Sequence, residues 1–297
     1  MQQQQKGLIL AVTAYSIWGF FPLYFSYLNT VSPVEVLSQR IIWSLVATLS
    51  LGLLLGYRNK LLTALKDIKL IGWLGLSALL ISINWLVYIW AVGHHRVLEA
   101  SLGYFISPVV SLILARLFFK ENLHPLQVWA GIIATLAILW EFISIGQLPW
   151  VSLILAFAFA LYGVVRKYCA IDGINGMTIE TIWLLPPALI WIGWQSLQPS
   201  NTLSFGTDQT VTLLLIGVGF LSALPLVLFA MATRRIDLSV VGFIMYINPT
   251  MQFLIGVFVL EEAYPAERLI TFALIWLALL LFTMGLFKLR RTAIILP

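Results

Sequence analysis

Ten stretches of the chain are each apolar over roughly 20 residues, the length a helix needs to cross the hydrocarbon layer of a bilayer. They fall at about 7–28, 33–57, 70–93, 97–119, 125–145, 149–167, 176–197, 210–233, 238–260 and 266–288. Nothing in that layer can solvate a backbone, so each stretch must satisfy its own N–H and C=O groups, which only a helix or a closed barrel does. Composition agrees. The chain is 61% hydrophobic and 10% charged, where a globular domain has roughly 45–50% and 25%, and its mean hydropathy is +0.99. The expected fold class is an all-α polytopic membrane protein of ten transmembrane helices. The first stretch continues through Tyr27 with no small-residue cleavage site at the distance a secretory signal requires, so it reads as a span of the mature protein. The glutamine run before it reads as a solvated tip.

Charge sets a direction. With the N-terminus in the cytoplasm, fourteen of the 17 Lys and Arg fall on the inner side, only Arg96 and Arg268 fall outside, and Arg40 is left within the second stretch. Cytoplasmic loops are enriched in Lys and Arg, so both termini are expected inside. The net charge of +5 does not point to nucleic acid, because such a face clusters its basic residues on a soluble surface and these are scattered between apolar runs.

The chain also repeats itself. A shift of 141 lays "YFISP" (104–108) over "MYINP" (245–249) and Glu121 over Glu262, and a shift of 144 lays "SIWGFFPLY" (16–24) over "ALYGVVRKY" (160–168). Two halves result, residues 1–146 and 147–297, with five spans each. Five is odd, so the second half enters the membrane in the opposite sense. An inverted repeat of this kind is the structural basis of alternating access about a midplane site.

Several chemistries are excluded by motif. No GxxxxGK[ST] loop is present, so no nucleotide is expected, and neither HExxH nor GxSxG appears to support an intramembrane enzyme. Cys169 is the sole cysteine, which rules out an intrachain disulfide or a multi-thiolate metal site. His94 and His95 are adjacent and on a helix would point about 100° apart, so no metal site is expected. No cofactor is expected either.

The block "NWLVYIWAVGHHRVLEASLGYFISP" (84–108), together with the whole-chain repeat, resembles the drug/metabolite transporter superfamily with its EamA-type halves, in the RarD branch. The resemblance implies a bacterial inner-membrane permease. Its central cavity would be lined by spans 1, 3 and 4 and by their repeat mates 6, 8 and 9.

Candidate binding residues are Trp18, Asn84, Trp85, Tyr88, Tyr104, Ser107, Tyr246 and Asn248. Asn84 and Tyr88, four apart, share one face of the third span with Trp85 beside them, and an aromatic wall with few polar groups suits a flat amphipathic solute. Pro108 and Pro249 recur at matched places, each after a small polar residue, and are expected as a paired hinge, the plain alternative being an ordinary kink. Ala100, Ser101 and Gly103, with Ser239 and Gly242, suit close helix contact.

Arg40, about 10 Å into the second span, costs at least ~2.5 kcal/mol there and calls for protein or water around it. An ion pair with Glu35 or Glu99, an anionic-solute or gating contact, and snorkelling to the outer interface are all open. Glu99 reads as a cap on the fourth span or as a substrate-facing or proton-linked acid, and Glu180 is equally open. Shifts of 141 to 145 set no acid opposite either. Glu121 and Glu262 read as helix-end punctuation.

The expected function is a secondary active or facilitative transporter of small organic metabolites or drugs, working by alternating access and not as an enzyme. The resemblance favours export. Uptake or exchange of amino-acid-like or amphipathic solutes is the alternative within transport, and an intramembrane enzyme is the alternative class. Expected partners are the solute, the bilayer and, if Glu35, Glu99 or Glu180 couples one, a proton. Oligomeric state is open, since ten helices enclose a pathway without a partner.

Overall fold

Each apolar stretch closes its backbone hydrogen bonds as a helix. The computed structural model describes residues 2–120, 124–199, 202–233, 235, 236, 244–263 and 265–295. These form α1 (Gln2–Gly19), α2 (Phe21–Ser26), α3 (Pro33–Leu54), α4 (Arg58–Ala64), α5 (Ile68–Gly93), α6 (Val97–Phe119), α7 (Pro125–Ile145), α8 (Trp150–Lys167), α9 (Gly173–Leu197), α10 (Gln209–Thr233), α11 (Ile247–Phe258) and α12 (Ala266–Ile295). Glu121, Arg234, Ser239 and Gly242 lie outside the described residues.

Among the described residues, nine helices are long and apolar enough to cross a membrane, with α1 and α2 together forming one of them from Gln3 to Ser26. Of the ninth expected span, 238–260, the described residues include α11, whose 12 residues rise about 18 Å. The chain is a multi-pass, all-helical membrane protein.

Local chemistry sets the helix ends. Asp67 and Asp172 accept the Leu70 and Asn175 amides at the starts of α5 and α9, 3.0 Å each, satisfying donors that have no intrahelical partner. Pro33 and Pro125 open α3 and α7, where a missing N–H costs nothing. His124 and Gln127 form a reciprocal capping box on α7. Gly146, at φ +71, ends the same helix in the left-handed region that only a residue without Cβ adopts freely.

Three local features add to the sequence reading. The first span is broken at Phe20, just ahead of Pro22 in the first turn of α2. The connection after α3 carries the short helix α4. The glutamine run is helical, with Gln3, Gln4 and Gln5 exposed.

The closest helix pairs are α7 with α12, α6 with α8, α3 with α9 and with α10, α5 with α8, and α1 with α10. Two apolar clusters fill the interior, one drawn largely from α6, α7, α8 and α12 and one from α2, α3, α5, α6, α8 and α10. On the outside, large side chains such as Leu54, Ile190 and Leu197 are largely exposed, as lipid contact requires. Small residues bring α6 onto α8. A Cβ at Gly103 would lie 2.7 Å from the Ser152 carbonyl oxygen, and Ser152 Oγ donates to the Glu99 carbonyl at 2.6 Å.

Candidate functional site

Arg40 is 5% exposed, two turns into α3. Its guanidinium carbon lies 4.1 Å from the Trp85 ring centroid, 5.7 Å from Phe21 and 5.8 Å from Phe25. α2 presents those two phenyl rings, while α5 supplies Trp85. A desolvated cation over an aromatic face gains about 2 kcal/mol or more, comparable to the ~2.5 kcal/mol that a central arginine costs on insertion scales. The rings therefore tolerate the charge but do not bond its N–H groups. Among the described residues the guanidinium has no hydrogen-bond acceptor, and its Nε is fully buried without one.

Beside this box the face shared by Asn84 and Tyr88 turns inward, at 2% and 3% exposure. Asn84 Nδ2 donates to the Leu155 carbonyl and its Oδ1 accepts from the Tyr104 hydroxyl, 3.1 Å each. The amide is thereby locked between α8 and α6. The Tyr88 ring stands 5.8 Å from both Phe25 and Tyr104, and its buried hydroxyl has no partner among the described residues. Both phenols lie within electrostatic reach of Arg40. Arg40, Asn84, Trp85, Tyr88 and Tyr104 thus form one constellation, with Phe21 and Phe25 added to it. Sequence reasoning passed over those two because they resemble any lipid-facing phenylalanine.

Trp18 packs against the same apolar cluster as Phe21, Phe25, Tyr88 and Tyr104 and stands edge-on to Tyr15 at 5.3 Å. The remaining candidates lie elsewhere or are otherwise engaged. The Ser107 hydroxyl donates to the Gly103 carbonyl of its own helix at 3.0 Å. Tyr246 packs against the other apolar cluster, and Asn248 Oδ1 accepts from Gln252 Nε2 at 2.7 Å.

The two prolines are not equivalent in backbone context. Pro108 interrupts the middle of α6, whereas Pro249 is the third residue of α11, where its N–H is not missed. Ser101 Oγ donates to the Pro249 carbonyl at 2.8 Å and so ties α6 to α11.

The acids are also accounted for, and none of them meets Arg40. Glu35 accepts the Ser204 amide at 2.8 Å and the Phe205 amide at 2.9 Å. Glu99 pairs with Arg268 at 3.4 Å and Arg96 at 3.7 Å. Glu141 takes the Thr271 hydroxyl at 2.6 Å, and Arg268 Nε at an ion-pair distance of 3.0 Å, off the angle of a hydrogen bond. Glu262 accepts the Val97 and Leu98 amides at 2.6 and 2.9 Å. Burial pushes its carboxyl above the ordinary carboxylate range, with the two amides, His95 and Arg268 pulling the other way.

A second polar cluster lies on α5, α8 and α9. The Glu180 carboxylate accepts from the Ser77 hydroxyl, from the Tyr162 hydroxyl at 3.5 Å, and pairs with Arg166 at 3.4 Å. Counted from the caps Ser32 and Asp172, Arg40 and Glu180 each lie eight residues into their helices. That offset of 140 differs by one from the shift of 141 carried by one motif and by four from the 144 carried by the other, and it sets a base opposite an acid, so no like-for-like match marks it.

The family model of the EamA-like transporter family matches residues 5–142. Protein RarD of Escherichia coli is 40% identical over 98% of this chain and 99% of its own. The uncharacterized transporter YojE of Bacillus subtilis is 40% identical over 98% of each, and the chloramphenicol-sensitive protein RarD of Pseudomonas aeruginosa is 31% identical over 95% and 94%. A solved crystal structure aligns over 95% of this chain and 98% of its own at a TM-score of 0.59 and 16% identity, a likeness of fold alone. With near full-length identity at this level, the chain belongs to the EamA-like transporters of the drug/metabolite transporter superfamily, in their RarD branch.

Proposed function

We propose that the chain moves small organic metabolites or drugs across the bacterial inner membrane by alternating access, as a secondary active or facilitative carrier working in the export direction with both termini in the cytoplasm. The observation that carries the reading is the aromatic and polar constellation of Trp85, Tyr88, Tyr104 and Asn84 around the buried Arg40, drawn from three different helices, α3, α5 and α6. Packing supports the inverted repeat of residues 1–146 and 147–297. When spans 1 to 5 are exchanged with spans 6 to 10, α7–α12, α3–α9 and α6–α11 map onto themselves, α5–α8 maps onto α1–α10, and α3–α10 maps onto α5–α9. Two halves related in this way have two near-equivalent packings, one open to each side. The scattered Lys and Arg support the placement of the termini.

The test compares metabolites in the medium of cells overproducing the chain with those of cells lacking it. Export predicts a set of solutes enriched by the wild type, with the enrichment cut at least severalfold by Trp85→Ala or Tyr88→Ala at equal expression. Depletion of the same solutes from the medium would reverse the direction. Enrichment unchanged in both variants would remove the aromatic site, and no change in any solute would count against transport itself.

A further inference from the structure

Among the described residues, every buried carboxylate has its counterpart: Glu35 and Glu262 hold backbone amides, Glu141 holds Thr271 and Arg268, and Glu180 holds Arg166 and Ser77. The one buried cation among them, Arg40, holds none. A guanidinium carries five N–H donors in a fixed fork and stays charged, and a buried donor left unmet is costly. Cation–π contact with Trp85, Phe21 and Phe25 steadies the charge from the ring faces without supplying an acceptor. Beside it the Tyr88 hydroxyl is likewise buried and unbonded. The Tyr104 hydroxyl, by contrast, is committed to Asn84.

From this juxtaposition we infer that the solute is an organic anion whose carboxylate is taken by Arg40 and the Tyr88 hydroxyl, with its aromatic or similarly flat body against Trp85, Phe25 and Tyr104. The inference rests on the transport reading and narrows it to a charge class. An arginine fork matches the two oxygens of a carboxylate. A neutral solute would offer the fork only weaker, uncharged acceptors, and a cationic one would face a like charge in a site with little water to screen it. Lipid phosphate is not the acceptor envisaged, because Arg40 is 5% exposed and about 10 Å from the start of its helix.

The test measures binding to the purified chain in nanodiscs of neutral lipid, using three probes with one ring system: indole-3-propionate, indole-3-propionamide and tryptamine. The carboxylate is expected to bind at least tenfold tighter than either other probe. Arg40→Gln should bring all three within about twofold, and Arg40→Lys, keeping the charge but losing the fork, should retain part of the preference. Tyr88→Phe removes one hydroxyl without changing shape and should weaken the carboxylate severalfold and the amide hardly at all. It also decides the matter if Arg40→Gln fails to elute as a single species.

Equal binding of the amide or the amine by the wild type would overturn the anion assignment while leaving the aromatic site intact. So would a preference that survives Arg40→Gln, or an unchanged carboxylate affinity in Tyr88→Phe. Failure of all three probes to bind would overturn the assignment too, with the metabolite comparison in the medium still judging transport on its own.

Discussion

Glu262 Oε1 accepts a 2.6 Å hydrogen bond from the Val97 amide, and its Oε2 takes the Leu98 amide at 2.9 Å. An acid just past α11 thus caps α6, which begins 165 residues earlier. Two physical terms compete. A carboxylate suits the positive end of a helix, but burial disfavours its charge, and burial wins, since the carboxyl lies above the ordinary carboxylate range. What Glu262 gives the fold is therefore two acceptor atoms more than a negative charge.

Glu262→Ala should cost about 1–3 kcal/mol by stranding buried amides, and Glu262→Gln, which keeps one acceptor, should cost less. The pH dependence follows. A carboxyl bound to its proton more tightly in the folded than in the unfolded state stabilises most below its unfolded value of about 4.3, and this contribution is lost as pH rises through the raised folded value. Thermal unfolding in detergent from pH 4 to pH 8 should show the wild type losing ground relative to Glu262→Gln. A rising advantage over that range would mean that the charge, not the acceptor pair, stabilises α6.

The Glu180 cluster makes a second prediction. Its pair with Arg166 is largely buried, the two side chains being 4% and 17% exposed, and removing one partner of such a pair typically costs 3–5 kcal/mol. Arg166 reaches Glu180 across Gly176, where an added Cβ would overlap its Nη1. Gly176→Ala should therefore expel the guanidinium and reproduce much of the loss seen in Arg166→Ala. Combining Gly176→Ala with Arg166→Ala should cost clearly less than the sum of the two, as expected for changes acting on one contact. Additive losses in a melting series would separate Gly176 from the ion pair.

The sequence made the membrane architecture legible because its cause is coarse. A backbone in lipid has to close its own hydrogen bonds, and ten apolar stretches declare where. The inward face of α5 was legible for a similar reason, since Asn84 and Tyr88 are four apart and both polar in an apolar run. What stayed hidden depends on approach between distant segments. That Arg40 would be met by Phe21 and Phe25 stayed hidden because one of the 18 phenylalanines reads much like another. Glu35 and Glu99 were plausible partners for Arg40 by depth alone, yet backbone amides at 204–205 claim the first and Arg268 the second. Loop amides leave no trace in side-chain patterns. The role of Gln252 had a signal that went unused, its spacing of four from Asn248.

Close contact between α6 and α8 makes a third prediction. Gly103 faces the Ser152 backbone so tightly that a methyl would sit 2.7 Å from its carbonyl oxygen and 3.0 Å from its Cα, and backbone atoms cannot move aside as a flexible side chain does. Gly103→Ala should thus cost about 1–3 kcal/mol by overpacking. It should also spread the helices enough to weaken the Asn84 bond to the Leu155 carbonyl on the same stretch of α8. Ser152→Ala, which loses only the 2.6 Å bond to the Glu99 carbonyl, should cost about 0.5–1.5 kcal/mol. The two melting temperatures would fall in that order, and a harmless Gly103→Ala would mean that α6 and α8 stand further apart than described.

The unlike settings of Pro108 and Pro249 lead to the fourth. Pro108 removes a hydrogen bond from mid-α6 and leaves the Tyr104 carbonyl, one turn back, without its usual donor. Ser107 compensates by bonding the neighbouring Gly103 carbonyl. Pro249 sits where the first turn of α11 has spare donors anyway, and its carbonyl is held by Ser101. Pro108→Ala should therefore restore a continuous ladder, protect the amides of residues 104–109 from hydrogen exchange and slow solute transport. Pro249→Ala should leave both hydrogen exchange and solute transport close to wild type, since the Ser101 bond goes to a carbonyl that alanine also has. Equal slowing by the two variants would instead favour the symmetric hinge that the repeated "SP" and "NP" pairs suggest.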